Sequence, residues 1–365
     1  MKIIGKKNYI HFINDPRKGG PHKYADNFNY VTKKIIKNQI IIPNSNQFLK
    51  LFFYRDIHRF FYIYEIIINF IVLIYTNLFT LRFKKIDTFN IHGFYNLAPL
   101  IFALITNKKM NWFIHEEIPK KFIFLFNILP IKFNTIFVYN YRKLKIKNKS
   151  NFLIIKPSIN IKFWNNKKKI IKKNNTVKKI VAVGNINKIK NFLFLLESLQ
   201  QFKKAINLTI VGENLKSQYS YFKKLKKLSQ ILNKKNFCKI TLAGRLSSIK
   251  VKNLLINSDL FVTTSLSEGT PFSLLEAMSC GKICIAPNIT NLSFIKNGYN
   301  GFKYISNNEK SFQKILLKSF TINKNLKGFI CKNAINYIKK EHNILIFQKK
   351  IKTKLLLINE KYSRN

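Results

Sequence analysis

Acidic residues are scarce: 15 Asp and Glu stand against 66 Lys and Arg, a formal net charge of +51 over 365 residues. Arginine is scarce too, at seven of those 66. Taken literally, such a charge points to a polyanionic partner, whether nucleic acid, anionic lipid or a phosphorylated substrate. Base reading leans on the bidentate guanidinium, which a lysine-built surface lacks, so no specific nucleic-acid partner is expected. Contact with an anionic membrane stays open, and the accompanying abundance of Asn, Ile, Phe and Tyr also fits an A/T-rich coding bias. Cysteine is limited to Cys238, Cys280, Cys284 and Cys331, with no CxxC pair and no histidine at zinc-finger spacing. That excludes a disulfide framework and a zinc ribbon, and leads us to expect free, mostly buried thiols in a reducing cytosol. The opening MKIIGKKNYIHFINDP lacks an apolar run of signal-peptide length, so a cytoplasmic protein is expected, with peripheral contact to the inner face of the membrane. Only one apolar run approaches the length of a bilayer, Phe60 to Leu81, and Glu65 and Asn69 interrupt it. A buried or interfacial helix is the expectation there rather than a span.

What is present is a folded chain, with 47% hydrophobic and 14% aromatic residues. Its length exceeds what one hydrophobic core usually serves, so two domains are expected. In the first half, short apolar strands are predicted at Tyr9 to Ile13, Thr88 to Ile91, Asn111 to Ile114, Thr135 to Val138 and Phe152 to Ile155. Helical or loop segments separate them, which is the pattern of a parallel sheet. Between Asn160 and Thr176 apolar periodicity gives way to Asn and Lys, a candidate linker. A second series of strands follows at Lys179 to Val183, Leu208 to Val211, Ile240 to Leu242, Leu260 to Thr263 and Ile283 to Ala286, and His342 to Ile358 reads as a helix. The expected domains are residues 1–165, residues 177–340, and a C-terminal helix at 341–365 packing back on the first domain.

The richest stretch is SLSEGTPFSLLEAMSCG, Ser265 to Gly281, after the apolar LFVTT. Thr270 suits an N-cap, Pro271 the first helical position and Gly281 a C-terminal stop, so a helix is predicted from about Pro271 to Cys280. A helix that begins at the C-terminal edge of a parallel strand offers backbone N–H groups and partial positive charge to an anion, and a diphosphate is its natural occupant. Glu268 before the cap and Glu276 inside the helix are placed to flank that anion and to accept hydrogen bonds from sugar hydroxyls.

EGTPFSLLEAMSCG resembles the E-x7-E region of glycosyltransferase family 4, a retaining family of GT-B fold. VAVGNINKIKNFLFLLESL upstream is similar to the family's first strand, glycine turn and lysine step, and LTIVGEN, ITLAGRL and INSDLFVTTSLSEG follow in the family's order. The likeness runs from Val181 to about Tyr304. It implies two Rossmann-like α/β domains with parallel sheets facing each other across a cleft, the second binding a nucleotide-sugar donor. By resemblance, Glu276 would bind the ribose, Glu268 would contact the transferred sugar, and Lys190 would neutralise the diphosphate. The backbone of Gly269, Thr270, Pro271 and Phe272 would line sugar and phosphates, with Gly184 and Asn185 in the first turn. Arg245, in the turn after Gly244, would lie near the nucleobase. Family members usually carry Arg where this chain has Asn185. No DxD-like metal motif is present, so catalysis without a metal or other cofactor is expected.

In the first half, Gly19 and Gly20 of NDPRKGGPH stand where a GG loop of the family faces the donor sugar. His115 stands where the family has a histidine that hydrogen-bonds that sugar. His92 also follows a short apolar strand and should emerge at the sheet's C-terminal edge. The implied reaction is transfer of a hexosyl group from a nucleotide-sugar to a glycan or lipid-linked acceptor, as in cell-envelope polysaccharide or lipopolysaccharide synthesis. A basic nucleic-acid-binding α/β protein, and a non-transferase GT-B enzyme such as a nucleotide-sugar epimerase, are the alternatives.

Overall fold

The computed structural model describes residues 7–13, 20–33, 36–43, 67, 70–71, 74, 86–93, 96–114, 133–138, 152–154, 156–165, 177–214, 218–235, 237–269 and 271–362. The chain divides into two compact units, Met1–Ser158 with Ile344–Asn365, and Ile159–Asn343.

The first unit contains β1 (Lys7–Ile13), α1 (Gly20–Thr32), β2 (Ile36–Pro43), β3 (Thr88–His92), α2 (Leu97–Ile105), β4 (Lys109–Ile114), β5 (Phe133–Val138) and β6 (Phe152–Ile154). Its strands form one sheet in the order β2-β1-β3-β4-β5-β6, and every pairing is parallel. In the second unit lie α3 (Ile161–Trp164), β7 (Lys178–Val183), α4 (Phe192–Glu197), β8 (Ile206–Val211), α5 (Tyr219–Asn233), β9 (Cys238–Leu242), α6 (Ser248–Asn257), β10 (Leu260–Val262), α7 (Phe272–Ser279), β11 (Ile283–Pro287), β12 (Phe302–Tyr304), α8 (Glu309–Thr321) and α9 (Lys324–Glu341). Its sheet runs β12-β11-β10-β7-β8-β9, again parallel throughout. A final helix, α10 (Ile344–Tyr362), belongs to the first unit, where Phe347 meets Tyr24 of α1 edge-on at 5.3 Å between ring centres.

Sequence dictates these elements in a direct way. The central strands β10 (LFV) and β11 (ICIAP) are buried at every residue, the mark of strands covered on both faces. Along α5, Tyr221, Leu225 and Leu232 fall on one face and are buried while lysines fill the other. Two of the few carboxylates do the same work in both sheets. Asp87 Oδ2 accepts from the backbone N–H of Asn8 at 2.7 Å while its own N–H donates to Asn8 O at 2.9 Å. Asp259 repeats this with Lys179, at 3.0 and 2.8 Å. Each clamp ties the residue before a central strand to the start of the unit's first strand.

Several expectations need correction. Strands β2 and β12 were not foreseen by the apolar-run reading, and the proposed linker is partly structured. Asn160 caps α3 by accepting from Phe163 N at 3.2 Å, Trp164 is buried, and the Trp164 carbonyl accepts from Cys280 Sγ at 3.2 Å. The change of unit falls between Ser158 and Ile159 rather than inside 160–176. His92 does not emerge at an open edge. It is buried at the end of β3, stacked on Phe113 at 4.5 Å, and bonded through Nε2 to His11 Nδ1 at 2.8 Å. His11, Asn90 and Asn111 are register partners on β1, β3 and β4. Asn90 Nδ2 meets His11 Nε2 at 3.1 Å and Asn111 Nδ2 donates to Asn90 Oδ1 at 2.8 Å, so a polar ladder crosses three strands inside the core. These bonds occupy most of the ladder's buried polar atoms, while Asn111 Oδ1 is left without a partner among the described residues.

Of the segment 60–81, Ile67, Phe70, Ile71 and Ile74 are described. All four are helical, and the three isoleucines are exposed. Among the described residues no helix is long and apolar enough to cross a membrane.

Cys284 is fully buried, and burial pushes its thiol well above the usual range; the same cause pushes Cys280 up to about 12 and raises Cys238. Since the thiolate is the reactive form, we expect maleimide labelling of Cys280 and Cys284 at about pH 8 to be at least about tenfold slower in the native protein than in denaturant, read by mass spectrometry of tryptic peptides. Equal rates would contradict the burial described here.

Candidate functional site

At the C-terminal ends of β7, β8, β9 and β10 four loops converge, the place where open parallel sheets bind ligands. Backbone bonds stitch them together. Gly184 N–H donates to Val211 O, Gly212 N–H to Gly244 O and Ile186 N–H to Glu213 O, each at 2.9 Å. The approach is so close that a Cβ on Gly212 would lie 1.8 Å from the Gly184 carbonyl oxygen. Gly244 takes a left-handed φ of +64°, which turns the chain after β9.

Beyond Gly184, Asn187 caps a single 3-10 turn, Lys188–Lys190, by accepting from Lys190 N–H at 2.9 Å. The Lys190 stem then folds back over Gly184, where a Cβ would meet its Cδ and Cε at 3.0 Å. This directs the ammonium to Glu268, and the two form an ion pair with side chains 21% and 10% exposed. Ser265 Oγ donates to the same carboxylate oxygen, Oε1, at 2.6 Å. Further bonds pin the loop: Thr264 Oγ1 to Lys190 O at 2.9 Å, Leu266 N–H to Ile189 O at 2.8 Å, and Asn291 Nδ2 to Glu268 O at 2.6 Å.

Helix α7 follows. Here the cap differs from expectation: Pro271, with φ −69° and ψ 120°, is the N-cap and Phe272 the first helical residue. The pyrrolidine ring sets φ close to the −69° seen here, ψ is extended, and the Pro271 carbonyl accepts from Leu274 N–H at 3.1 Å and Leu275 N–H at 3.3 Å. Glu276 lies in the second turn of α7 and is 2% exposed. It stands near enough to Cys280 to contribute, after burial, to raising that thiol. Arg245 pairs with Glu213 at 3.7 Å, both side chains exposed, and the Cα of Asn185 lies 3.3 Å from where a Cβ on Gly212 would sit.

Of the residues singled out from sequence, the fold therefore brings together Lys190, Glu268 and Gly184, with Asn185, Gly269, Pro271 and Phe272 on the same loops. Glu276 is placed inside α7 and Arg245 on the β9 loop. Gly20 opens α1 in the first unit and is exposed. Gly19, His115 and Thr270 lie outside the described residues. Sequence reasoning missed Ser265 and Asn291, whose only signal was their position just after β10 and in the short 3-10 turn Thr290–Leu292.

Residues 164–337 match the profile of the family described as glycosyl transferases group 1. The second unit carries a glycosyl transferases group 1 domain. The chain is 37% identical over 103 residues to UDP-Gal:alpha-D-GlcNAc-diphosphoundecaprenol alpha-1,3-galactosyltransferase of Escherichia coli, a match covering 28% of this chain and 26% of that protein. It thus spans about a quarter to a third of the length of the curated relatives it matches. Among solved structures, it is similar to HepE of Anabaena in complex with UDP and glucose, with a TM-score of 0.71, 14% identity and coverage of 96% and 99% of the two chains. Sucrose-phosphate synthase of Thermosynechococcus elongatus superposes with a TM-score of 0.74 at 11% identity, covering 98% and 100%. The fold is GT-B, α/β with two parallel-sheet units.

Two glycines of the group 1 domain make opposite predictions. Gly212→Ala forces a methyl into backbone and should destabilise the domain by about 3 kcal/mol. Gly184→Ala meets only a flexible side chain, so it should cost less than about 1 kcal/mol while displacing Lys190. Urea denaturation of both variants distinguishes the two.

Proposed function

We propose that this chain is a retaining, family 4 type glycosyltransferase that moves a hexosyl group from a nucleotide-sugar to a lipid-linked or glycan acceptor. The observation that carries the reading is the Lys190–Glu268 pair at the strand-end loops beside the start of α7, within a group 1 domain. Such a site offers one cation, one carboxylate and a helix N-terminus to a ligand that carries both phosphates and hydroxyls.

In this reading the diphosphate lies against the α7 N-terminus and Lys190, the nucleobase near Gly244 and Arg245, and the ribose at Glu276. Gly269, Thr270, Pro271 and Phe272 line the donor, with Gly184 and Asn185 at the first turn. Gly19, Gly20 and His115 are assigned to the transferred sugar by the family resemblance alone. As the anomeric C–O bond breaks, negative charge grows on the leaving diphosphate, and fixed cations and N–H dipoles stabilise it more than the ground state. The acceptor hydroxyl attacks from the face that the diphosphate leaves, and its proton passes to a departing phosphate oxygen. With lysine neutralising the leaving group, no metal is invoked. Uridine diphosphate sugars are the first donors to test, since the Escherichia coli relative is named for UDP-Gal and the Anabaena structure holds UDP. The GlcNAc-diphosphoundecaprenol in that relative's name, together with the +51 charge, supports a cytoplasmic enzyme working peripherally at an anionic membrane in envelope polysaccharide or lipopolysaccharide synthesis.

The test is calorimetric titration with UDP-, GDP- and ADP-sugars and their parent diphosphates. One of these series should bind, and Glu276→Ala should weaken the nucleotide-sugar and the parent diphosphate alike by about tenfold or more. Binding of none, or binding indifferent to Glu276→Ala, refutes the donor site. For the membrane, co-sedimentation with phosphatidylglycerol vesicles at about 0.15 M salt should exceed that with phosphatidylcholine vesicles. Equal sedimentation ends the membrane proposal and leaves the transferase standing.

A further inference from the structure

The carboxylate of Glu268 is held asymmetrically. Both of its protein donors, Lys190 Nζ and Ser265 Oγ, go to Oε1, while Oε2 makes no hydrogen bond among the described residues. Ser265 is 0% exposed, so its hydroxyl has no competing water and spends its single proton on the carboxylate. The contact between Thr263 Oγ1 and Ser265 Oγ, at 3.2 Å, is then one in which Thr263 donates and Ser265 accepts. Direction is thereby fixed along a line of three side chains, Thr263 to Ser265 to Glu268. The backbone at each end of that line is anchored as well, Thr263 N–H donating to Ile285 O at 3.0 Å and Asn291 Nδ2 to Glu268 O at 2.6 Å.

We infer that Ser265, oriented by Thr263, is a positioning residue that locks Oε1 of Glu268 beside Lys190 and leaves Oε2 to accept a hydroxyl of the transferred sugar. This rests on the donor-site reading above and assigns a division of labour within it. Lys190 alone cannot set the angle of the carboxylate, because an ammonium on a four-carbon stem binds as a point charge. A buried hydroxyl on the rigid loop after β10 can. Its contribution falls on the sugar and not on the nucleotide, which separates it from a residue that merely holds the loop together.

The experiment measures Kd by calorimetry for a nucleotide-sugar and for its parent diphosphate, using whichever of UDP-glucose with UDP, GDP-mannose with GDP, or ADP-glucose with ADP the wild type binds most tightly. Ser265→Ala should weaken the nucleotide-sugar by about tenfold and leave the diphosphate within about twofold. Thr263→Val, which keeps the shape and removes the donor to Ser265, should move the same difference in the same direction by a smaller factor, and it serves if Ser265→Ala does not fold. Equal losses for both ligands, or no loss for either, overturn the positioning role and leave the donor site intact. A wild type that binds no member of the panel overturns the donor site itself, and this inference with it.

Discussion

A methyl group on residue 212 would fall within bonding distance of the Gly184 oxygen, and the second unit is arranged around that prohibition. Because the loops after β7 and β8 can touch backbone to backbone, Gly184 and Ile186 bond to the β8 side and Gly212 bonds on to Gly244. Three strand ends are thereby drawn into one surface. The Lys190 stem then lies across Gly184, and the ammonium meets a carboxylate 78 residues further along the chain. Backbone proximity comes first, and the charged pair is a consequence of it.

The scarcity of acids sharpens what the remaining ones do. Asp87 and Asp259 each clamp the edge of a central strand to the first strand of their sheet, with the same pair of backbone bonds. Glu213 balances Arg245, and Glu268 balances Lys190. Loss of Asp87 or Asp259 would leave a backbone donor unmet and loss of Glu268 a half-buried ammonium, costs larger than that of a solvated surface pair such as Arg245 with Glu213.

Much of this was legible in advance, and unevenly so. Strands covered on both faces, such as β10 and β11, announce themselves as unbroken apolar runs between turn residues, and α7 was placed to within a residue at each end. β12, three residues long inside a glycine- and asparagine-rich stretch, carries too little pattern to detect. β2 has its apolar residues crowded into IIIP after a polar start, which reads as neither period. Glu268 was legible from its place before the α7 cap and Lys190 only through family resemblance, while nothing local joins two residues so distant in sequence. Ser265 went unnoticed because a hydroxyl after a strand has many meanings until its partner is known. His92 was misplaced for a related reason: alone it looks like an edge residue, and only the register that sets His11 beside Asn90 and Asn111 reveals a ladder that receives it.

The first unit is built from both ends of the chain. Phe347 on α10 supplies an aromatic edge to Tyr24 on α1, and Ile351 is buried on the same helix. A ribosome releases residues in order, so this layer of the first core reaches the folding chain only after the whole second unit has been synthesised. Until α10 is made, Tyr24 of α1 lacks the Phe347 edge that covers it, whereas the second unit, continuous from Ile159 to Asn343, is complete before that helix begins. In the life of each molecule, the part encoded later is the part able to mature first.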